Sequence, residues 1–260
     1  MKSKFSLWLL GGILLTALAI PVVAVPLAGW NKLGAARNDE VLLALEISVA
    51  TSTAVALVAL LLGLPLAFVL ARSKSAVVRG LGTFFVEAPI FLPPAVLGLG
   101  LLIALGPRGI VGSALDSAGI VLPFTTVSVM IAQLVVACPL FVRPLIGAIR
   151  DLSPDLEMTA ALEGASALTA LRKVIAPAVR GSIVSGLALC WSRAMGEFGA
   201  TLLFAGNLPG KTQTISLAIY SEFQTDIDSA IGLATLSLII LVCVRALIAF
   251  VARPKRREAQ

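Results

Sequence analysis

The 260-residue chain contains no histidine. Metalloprotease helices of the H-E-x-x-H type and Ser-His-Asp hydrolases both need an imidazole, so both are excluded. Charge is scarce too. Only 13% of residues are Asp, Glu, Lys or Arg, against roughly a quarter in an average soluble domain. A chain so short of polar surface is suited to a bilayer rather than to water. Its three cysteines, Cys138, Cys190 and Cys243, each lie inside an apolar run without a close partner. That spacing offers neither a disulfide framework nor a zinc site, and they read as small core residues. No metal ligand set is visible.

What the chain does have is long apolar runs. Hydrophobic residues make up 58%, and the mean hydropathy is +1.02. About 20 apolar residues make one spanning helix. Six runs reach that length: Leu7 to Leu27, Val41 to Ala71, Leu81 to Gly106, Phe124 to Ala148, Ser182 to Gly206 and Asp228 to Ala252. Open sheet edges do not survive in lipid, and these runs are too uniformly apolar for barrel strands. The reading is an all-α polytopic membrane protein with six transmembrane helices. The first run has Lys2 and Lys4 before it. Its length exceeds the roughly 7–15 apolar residues of a signal peptide, so it reads as an uncleaved helix.

The balance of basic residues sets the orientation. Six spans put both termini on one side. The segments on that side hold 13 Lys and Arg, among them Lys2, Arg72, Arg79, Arg150, Arg172 and Arg256. The opposite loops hold four: Lys32, Arg37, Arg108 and Lys211. Excess positive charge marks the cytoplasmic face, so both termini are placed in the cytoplasm of a multi-pass cell-membrane protein. A net charge of +6 in a soluble protein would suggest nucleic acid. Here it sits in short segments between apolar runs, and no nucleic-acid partner is expected. Residues 1–40 read as the first helix and an outer loop, 41–252 as the main membrane domain, and 253–260 as a basic tail.

The loop at 149–181 is longer than a connection needs. Ser153-Pro154-Asp155 reads as a helix start with an acidic first turn. Gly164 is a natural stop. Ser166 can cap a second short helix, which Pro177 ends or kinks. Two readings fit: a docking element for a soluble partner, or a helix lying on lipid.

Residues 156–164, LEMTAALEG, followed by Val174-Ile175-Ala176-Pro177, resemble the cytoplasmic "EAA" loop of ABC importer permeases. Its pattern is E-A-A, three residues, G, nine residues, I-x-L-P. Ala160, Gly164 and Pro177 are in register. Met158, Thr159 and Ala176 depart from it, and Glu157 stands one residue before the expected acid. Residues 193–207, RAMGEFGATLLFAGN, resemble the fifth-helix signature of molybdate/tungstate-type permeases, and the likeness continues through Pro209 to Thr214 and Leu217 to Tyr220. Leu92 to Gly98 and Pro139 to Pro144 are similar to the same family, so the likeness spans roughly Glu46 to Arg245. Sulfate permeases share the layout.

The resemblance implies the type I ABC importer architecture. It also implies a homodimer, two cytoplasmic ATP-binding subunits and an extracytoplasmic oxyanion-binding protein. This chain would then be no enzyme and bind no cofactor; ATP and Mg would be used by the partner ATPase. Glu157, Thr159, Ala160, Gly164 and Pro177 would lie in the ATPase-coupling loop.

Other residues carry readings of their own. Ser185, Ser192, Gly196, Gly199 and Gly206 form a small-residue stripe on the fifth run, either for helix packing or as a pore wall. Pro93-Pro94 kinks or splits the third run, as a gate element or a packing bend; Pro65 and Pro139 are weaker versions of that signal. Arg193 and Glu197 suit an intramembrane ion pair, with each other or with Arg143 and Glu87. A stand-alone secondary transporter would instead need Glu46, Glu87 or Glu197 as an intramembrane ligand. Residues 205–212, AGNLPGKT, approach the phosphate loop G-x-x-x-x-G-K-[ST]. Ala205 stands where that loop needs glycine, and a membrane run rather than a strand precedes it.

Overall fold

A computed structural model of the chain describes residues 2–34 and 39–251, with side chains described for 8–34 and 39–246. The basic tail and Arg37 lie outside these residues. The described residues are helical, with no strand among them. Helix α1 (Lys2–Gly29) is followed by α2 (Asp39–Val58), a π-helical turn at Ala59–Gly63, and α3 (Leu64–Arg72), which together form one long helix. Next come α4 (Ala76–Phe91), α5 (Pro94–Leu105), α6 (Gly112–Ser117) and α7 (Thr126–Arg150). The loop segment holds α8 (Asp155–Leu162), α9 (Ala167–Ala170), a second π turn at Leu171–Ile175 and α10 (Ala176–Ala178). The chain continues as α11 (Arg180–Met195), α12 (Gly199–Ala205), α13 (Ile215–Thr225) and α14 (Ile227–Val251).

Four of these helices are long and apolar enough to cross a membrane. The number reaches six if each of two bent pairs counts as one span: α4 with α5, bent by 118°, and α9–α10 with α11, bent by 84°. The first bend has a plain cause. Leu92 and Pro93 are extended, with ψ of 139° and 135°, as a residue before proline prefers. Pro94 then starts α5, where its missing N–H costs nothing. The third run is therefore two helices at a sharp corner, not one kinked helix.

The fifth run also differs from expectation. Instead of one helix over 182–206, α11 stops at Met195, three residues break the helix, and α12 starts at Gly199. Two helical pieces were also missed between the runs: α6, and α13, whose apolar Ile215, Leu217 and Ala218 are buried. Both are too short to register as spans.

Helix α7 is the hub, packing against α2, α3, α4, α11 and α12. Phe141, Leu145, Ile146 and Ile149 are fully buried along it. Phe141 fits because two neighbours are glycine. A methyl on Gly63 would stand 3.0 Å from its ring, and one on Gly186 likewise 3.0 Å. Pro139 and Pro144 lie inside α7 without breaking it, so Pro139 is no corner. Both π turns sit just before a proline, Pro65 and Pro177. A widened turn relieves the clash between a proline ring and the carbonyl four residues back. Helix α1 packs on α14, where Thr235 donates to the Val25 carbonyl at 3.1 Å. Asp226 caps the start of α14. Hydrogen bonds from the Ser229 hydroxyl and the Asp228 N–H hold its carboxyl below the usual range.

Candidate translocation and coupling site

The loop after α7 is a defined structure. Ser153 Oγ accepts the Asp155 N–H at 3.2 Å and opens α8. At the other end the Ala165 N–H reaches the Ala160 carbonyl at 2.9 Å, and the Gly164 N–H reaches Ala161 at 3.0 Å. This double closure is a Schellman motif, which needs a left-handed residue; Gly164 supplies it at φ +81°. Ser166 Oγ then accepts the Thr169 N–H and caps α9. Ala160, Leu171 and Ile175 are buried and hold the loop to the bundle. Thr159, Gly164 and Pro177 are exposed. So are Leu156, Met158, Leu162 and Leu168, leaving an apolar cap around the glycine corner.

Glu157 faces inward. Arg72 Nε donates to Glu157 Oε1 at 2.6 Å, and Arg72 Nη2 donates to the Leu152 carbonyl at 3.0 Å. One guanidinium at the end of α3 thus ties down both the entry to α8 and α8 itself. Sequence reading missed Arg72 as a partner; its only signal was a basic residue closing an apolar run.

Further along the bundle the two helix breaks meet. Helix α12 packs on α5. A methyl on Gly199 would stand 3.3 Å from Pro94 Cβ, and one on Gly98 would stand 2.7 Å from Ala200 Cα. Pro93, Pro94 and Gly199 are therefore brought to one place, and Gly98, absent from the predicted set, joins them. Ser192 and Gly196 are not part of that contact. Gly196 is exposed, and a methyl there would meet only the Ser192 carbonyl, at 3.7 Å. The small-residue stripe is consequently not one face. Ser185 and Ser192 stay on α11 and Gly196 sits just past its end, while Gly199 turns with α12 into the packed corner.

Glu197 fills the break between α11 and α12. Its side chain is fully buried, Oε1 accepts the Ala200 N–H at 2.8 Å, and Oε2 lies 2.8 Å from Arg193 Nη1. The carboxylate thus caps α12 and neutralises Arg193, although Oε2 accepts no aligned hydrogen bond. Arg143 Nε donates to Glu87 Oε1, forming a second pair across α7 and α4. Glu87 and Glu197 are therefore engaged by arginines, and Glu46 is exposed near the start of α2. No group of three or more metal-ligating side chains occurs among the described residues. Gln133 and Thr201, on the packed helices α7 and α12, are fully buried with no partner for their side-chain polar atoms.

The 205–212 stretch is a closed turn. Gly206, at φ +75° and ψ −165°, ends α12 in a conformation open only to glycine. The N–H groups of Lys211, Thr212 and Gln213 all donate to the Leu208 carbonyl, at 3.1, 2.9 and 3.0 Å. Those donors would have to be free to cradle a phosphate. Ser48 Oγ takes the first N–H of α13, at Ile215. The turn is tied instead to the start of α7, where Thr126 donates to the Lys211 carbonyl at 2.9 Å.

Residues 63–257 match the family model described as binding-protein-dependent transport system inner membrane component. The chain belongs to this family. The permease is 40% identical over 232 residues to the molybdenum transport system permease protein ModB of Mycobacterium bovis, covering 88% of this chain and 86% of that one. It is also 40% identical over 203 residues to the probable transport system permease protein NifC of Clostridium pasteurianum, covering 76% and 71%. Among solved structures it resembles a bacterial ABC transporter that imports alginate, with a TM-score of 0.69 at 16% identity over 100% of this chain and 99% of that one. The methionine ABC transporter MetNI gives 0.56 at 17% identity over 83% and 96%. At such identities the two structures speak to the fold alone. The permease is a translocation component rather than an enzyme.

Proposed function

We propose that this permease carries molybdate, with tungstate as its near equal in size and charge, into the cytoplasm as part of an ATP-driven importer. The observation that carries this reading is the 40% identity to a molybdenum permease over 88% of the chain. The signature at 193–207 lies within the segment that builds the packed corner. In this reading α4 with α5 make one span and α11 with α12 another, giving six, and both termini and the 149–181 loop are cytoplasmic. The excess of Lys and Arg on that side supports the placement.

The working unit is a homodimer of this chain with two ATP-binding subunits and an extracytoplasmic oxyanion-binding protein. ATP and Mg are held by the ATPase, and this chain holds no cofactor. The apolar cap of Leu156, Met158, Leu162 and Leu168 around Gly164 is the surface that meets the ATPase. Closure of the ATPase moves this cap, and Arg72 passes the motion to the end of α3. The corner of Pro93, Pro94 and Gly199 shifts in turn and opens a path for the anion, with Ser192 and Gly196 beside it. Hydrolysis resets the cycle.

The test is uptake by the complex reconstituted in vesicles with its binding protein. ATP-dependent molybdate uptake that a sulfate excess fails to suppress is expected. Uptake that persists without the ATPase would sink the importer reading, and suppression by sulfate would reassign the substrate.

A further inference from the structure

Helices α4 and α7 carry a polar seam that lipid cannot satisfy. On α4, Arg79, Thr83 and Glu87 recur every four residues; on α7, Arg143, Gly147 and Arg150 recur at four and three. Such spacings place residues on one helix face. The seam borders an open cleft of about 490 Å³, lined by Arg79, Thr83, Glu87 and Arg150 among others, and Arg143 joins it through its bond to Glu87. No residue of helix α4 is fully buried, although Val86 packs half-buried against the core.

The depth of the Arg143–Glu87 pair is informative. Arg143 precedes the end of α7 by seven residues, about 10 Å at 1.5 Å per residue. The two side chains remain 49% and 29% exposed. Charged groups within spans face a bundle interior or a water-filled cavity, not lipid. Nearer the loop, Arg79 and Arg150 donate only to backbone, to Ser73 at 2.6 Å and Leu70 at 3.4 Å. Neither pairs with a carboxylate among the described residues. A guanidinium has five N–H donors, so most of theirs are free for an anion.

We propose that this seam is one wall of an aqueous anion passage at the loop-bearing end of the permease. The inference rests on the importer reading above, in which a second copy of the chain closes the cleft. An oxyanion leaving the bundle moves from Arg143 past Thr83 to Arg79 and Arg150. Glu87 neutralises Arg143 and keeps the innermost step weak. A passage that attracts its ion without holding it needs this balance. An anionic lipid headgroup has the same chemistry. The ion pair about two helical turns inside the end of α7 favours water over a headgroup.

The test uses the reconstituted complex with ATPase and binding protein. Thr83→Cys and Gly147→Cys are treated from the loop-bearing side with an anionic, membrane-impermeant methanethiosulfonate, counted above the native-chain background. Leu61→Cys, on an apolar exposed face, is the control. Both seam positions are expected to react about tenfold faster than the control, because the reactive thiolate exists only in water, and molybdate should slow them. Arg79→Gln and Arg150→Gln should each lower uptake about fivefold with ATP hydrolysis and assembly intact, as loss of a focusing charge predicts; Arg79→Lys should restore it. Labelling at Thr83 no faster than at Leu61 overturns the passage. So does an effect of the arginine variants that appears only in vesicles with phosphatidylglycerol, which would assign the seam to lipid. Native complex that labels as expected but takes up sulfate instead of molybdate would fail the substrate reading alone, with sulfate then giving the protection.

Discussion

Gly98 lies against Ala200 with no room between them: a methyl group on Gly98 would stand 2.7 Å from both the Cα and the carbonyl oxygen of Ala200. Gly199 answers from the other side, its added methyl falling 3.2 Å from the Ala95 nitrogen. Two corners, one made by prolines and one by a glycine-rich break, are joined through this contact. Backbone cannot rotate out of the way as a side-chain tip can. Gly98→Val should therefore destabilise the permease by about 1–3 kcal/mol, the range for overpacking. The check is the thermal unfolding midpoint in detergent, with Gly100→Val as control, since nothing lies within 4 Å of that site. Equal midpoints for the two variants would show that the corner yields.

Arg72 and Glu157 are both largely shielded, with side chains 19% and 23% exposed. Charge-assisted hydrogen bonds of this kind contribute about 1.5–3 kcal/mol. Either Arg72→Gln or Glu157→Gln should loosen α8 and uncouple ATP hydrolysis from uptake. Lost uptake with continuing hydrolysis is the expected signature. Because Arg72 also holds the Leu152 carbonyl, its loss should be the larger of the two. A Glu157→Gln variant that matched wild type in coupling would remove Glu157 from this role.

Arg193 and Glu197 differ in burial, and that asymmetry orders their variants. The Glu197 side chain is 0% exposed, while that of Arg193 is 32% exposed. Arg193→Leu leaves a buried carboxylate without its counter-charge, a loss of about 3–5 kcal/mol for a buried pair. Glu197→Gln keeps an oxygen for the Ala200 N–H and strands only the arginine that can reach solvent. The double variant Arg193→Leu/Glu197→Gln should accordingly be more stable than Arg193→Leu alone. A double-variant cycle of unfolding midpoints reads this, and simple additivity would argue against the pairing.

Gly164 separates a conformational effect from a contact effect. Its φ of +81° is unfavourable for an L side chain, yet a methyl there would meet nothing within 4 Å. In the isolated permease Gly164→Ala should therefore lose only the left-handed penalty, about 1–2 kcal/mol, and Gly164→Asn less. Gly164→Pro should abolish capture of the ATPase. Full ATPase capture by the proline variant would place the docking surface elsewhere.

Gln133 is buried with both amide atoms unpartnered. An unsatisfied buried polar group costs about 1–3 kcal/mol. Gln133→Leu should then raise the unfolding midpoint. If it also lowers transport while stability rises, the amide serves the moving anion or its water rather than the fold.

The sequence by itself determined the class of this protein. Runs such as Phe124 to Ala148 must be helical in lipid, because a helix satisfies its backbone hydrogen bonds within one segment and the runs are too uniformly apolar for a barrel's strands. The helix signals in the loop were legible for the same local reason: Ser166, Gly164 and Pro177 act on neighbours a few residues away. Pairings such as Arg72–Glu157, 85 residues apart, were not legible, since spacing carries no information about which helices pack. The breaks were only half visible. Pro93-Pro94 announced a bend but not its 118°. The interruption at Gly196 to Phe198 was hidden, since glycine and a charged residue also occur inside intact helices. Tertiary structure alone decided that these two breaks meet, that Gly98 is the residue making room, and that Glu197 spans the gap. Each depends on what another helix brings to that point, and close packing fixes that only once the whole bundle has assembled.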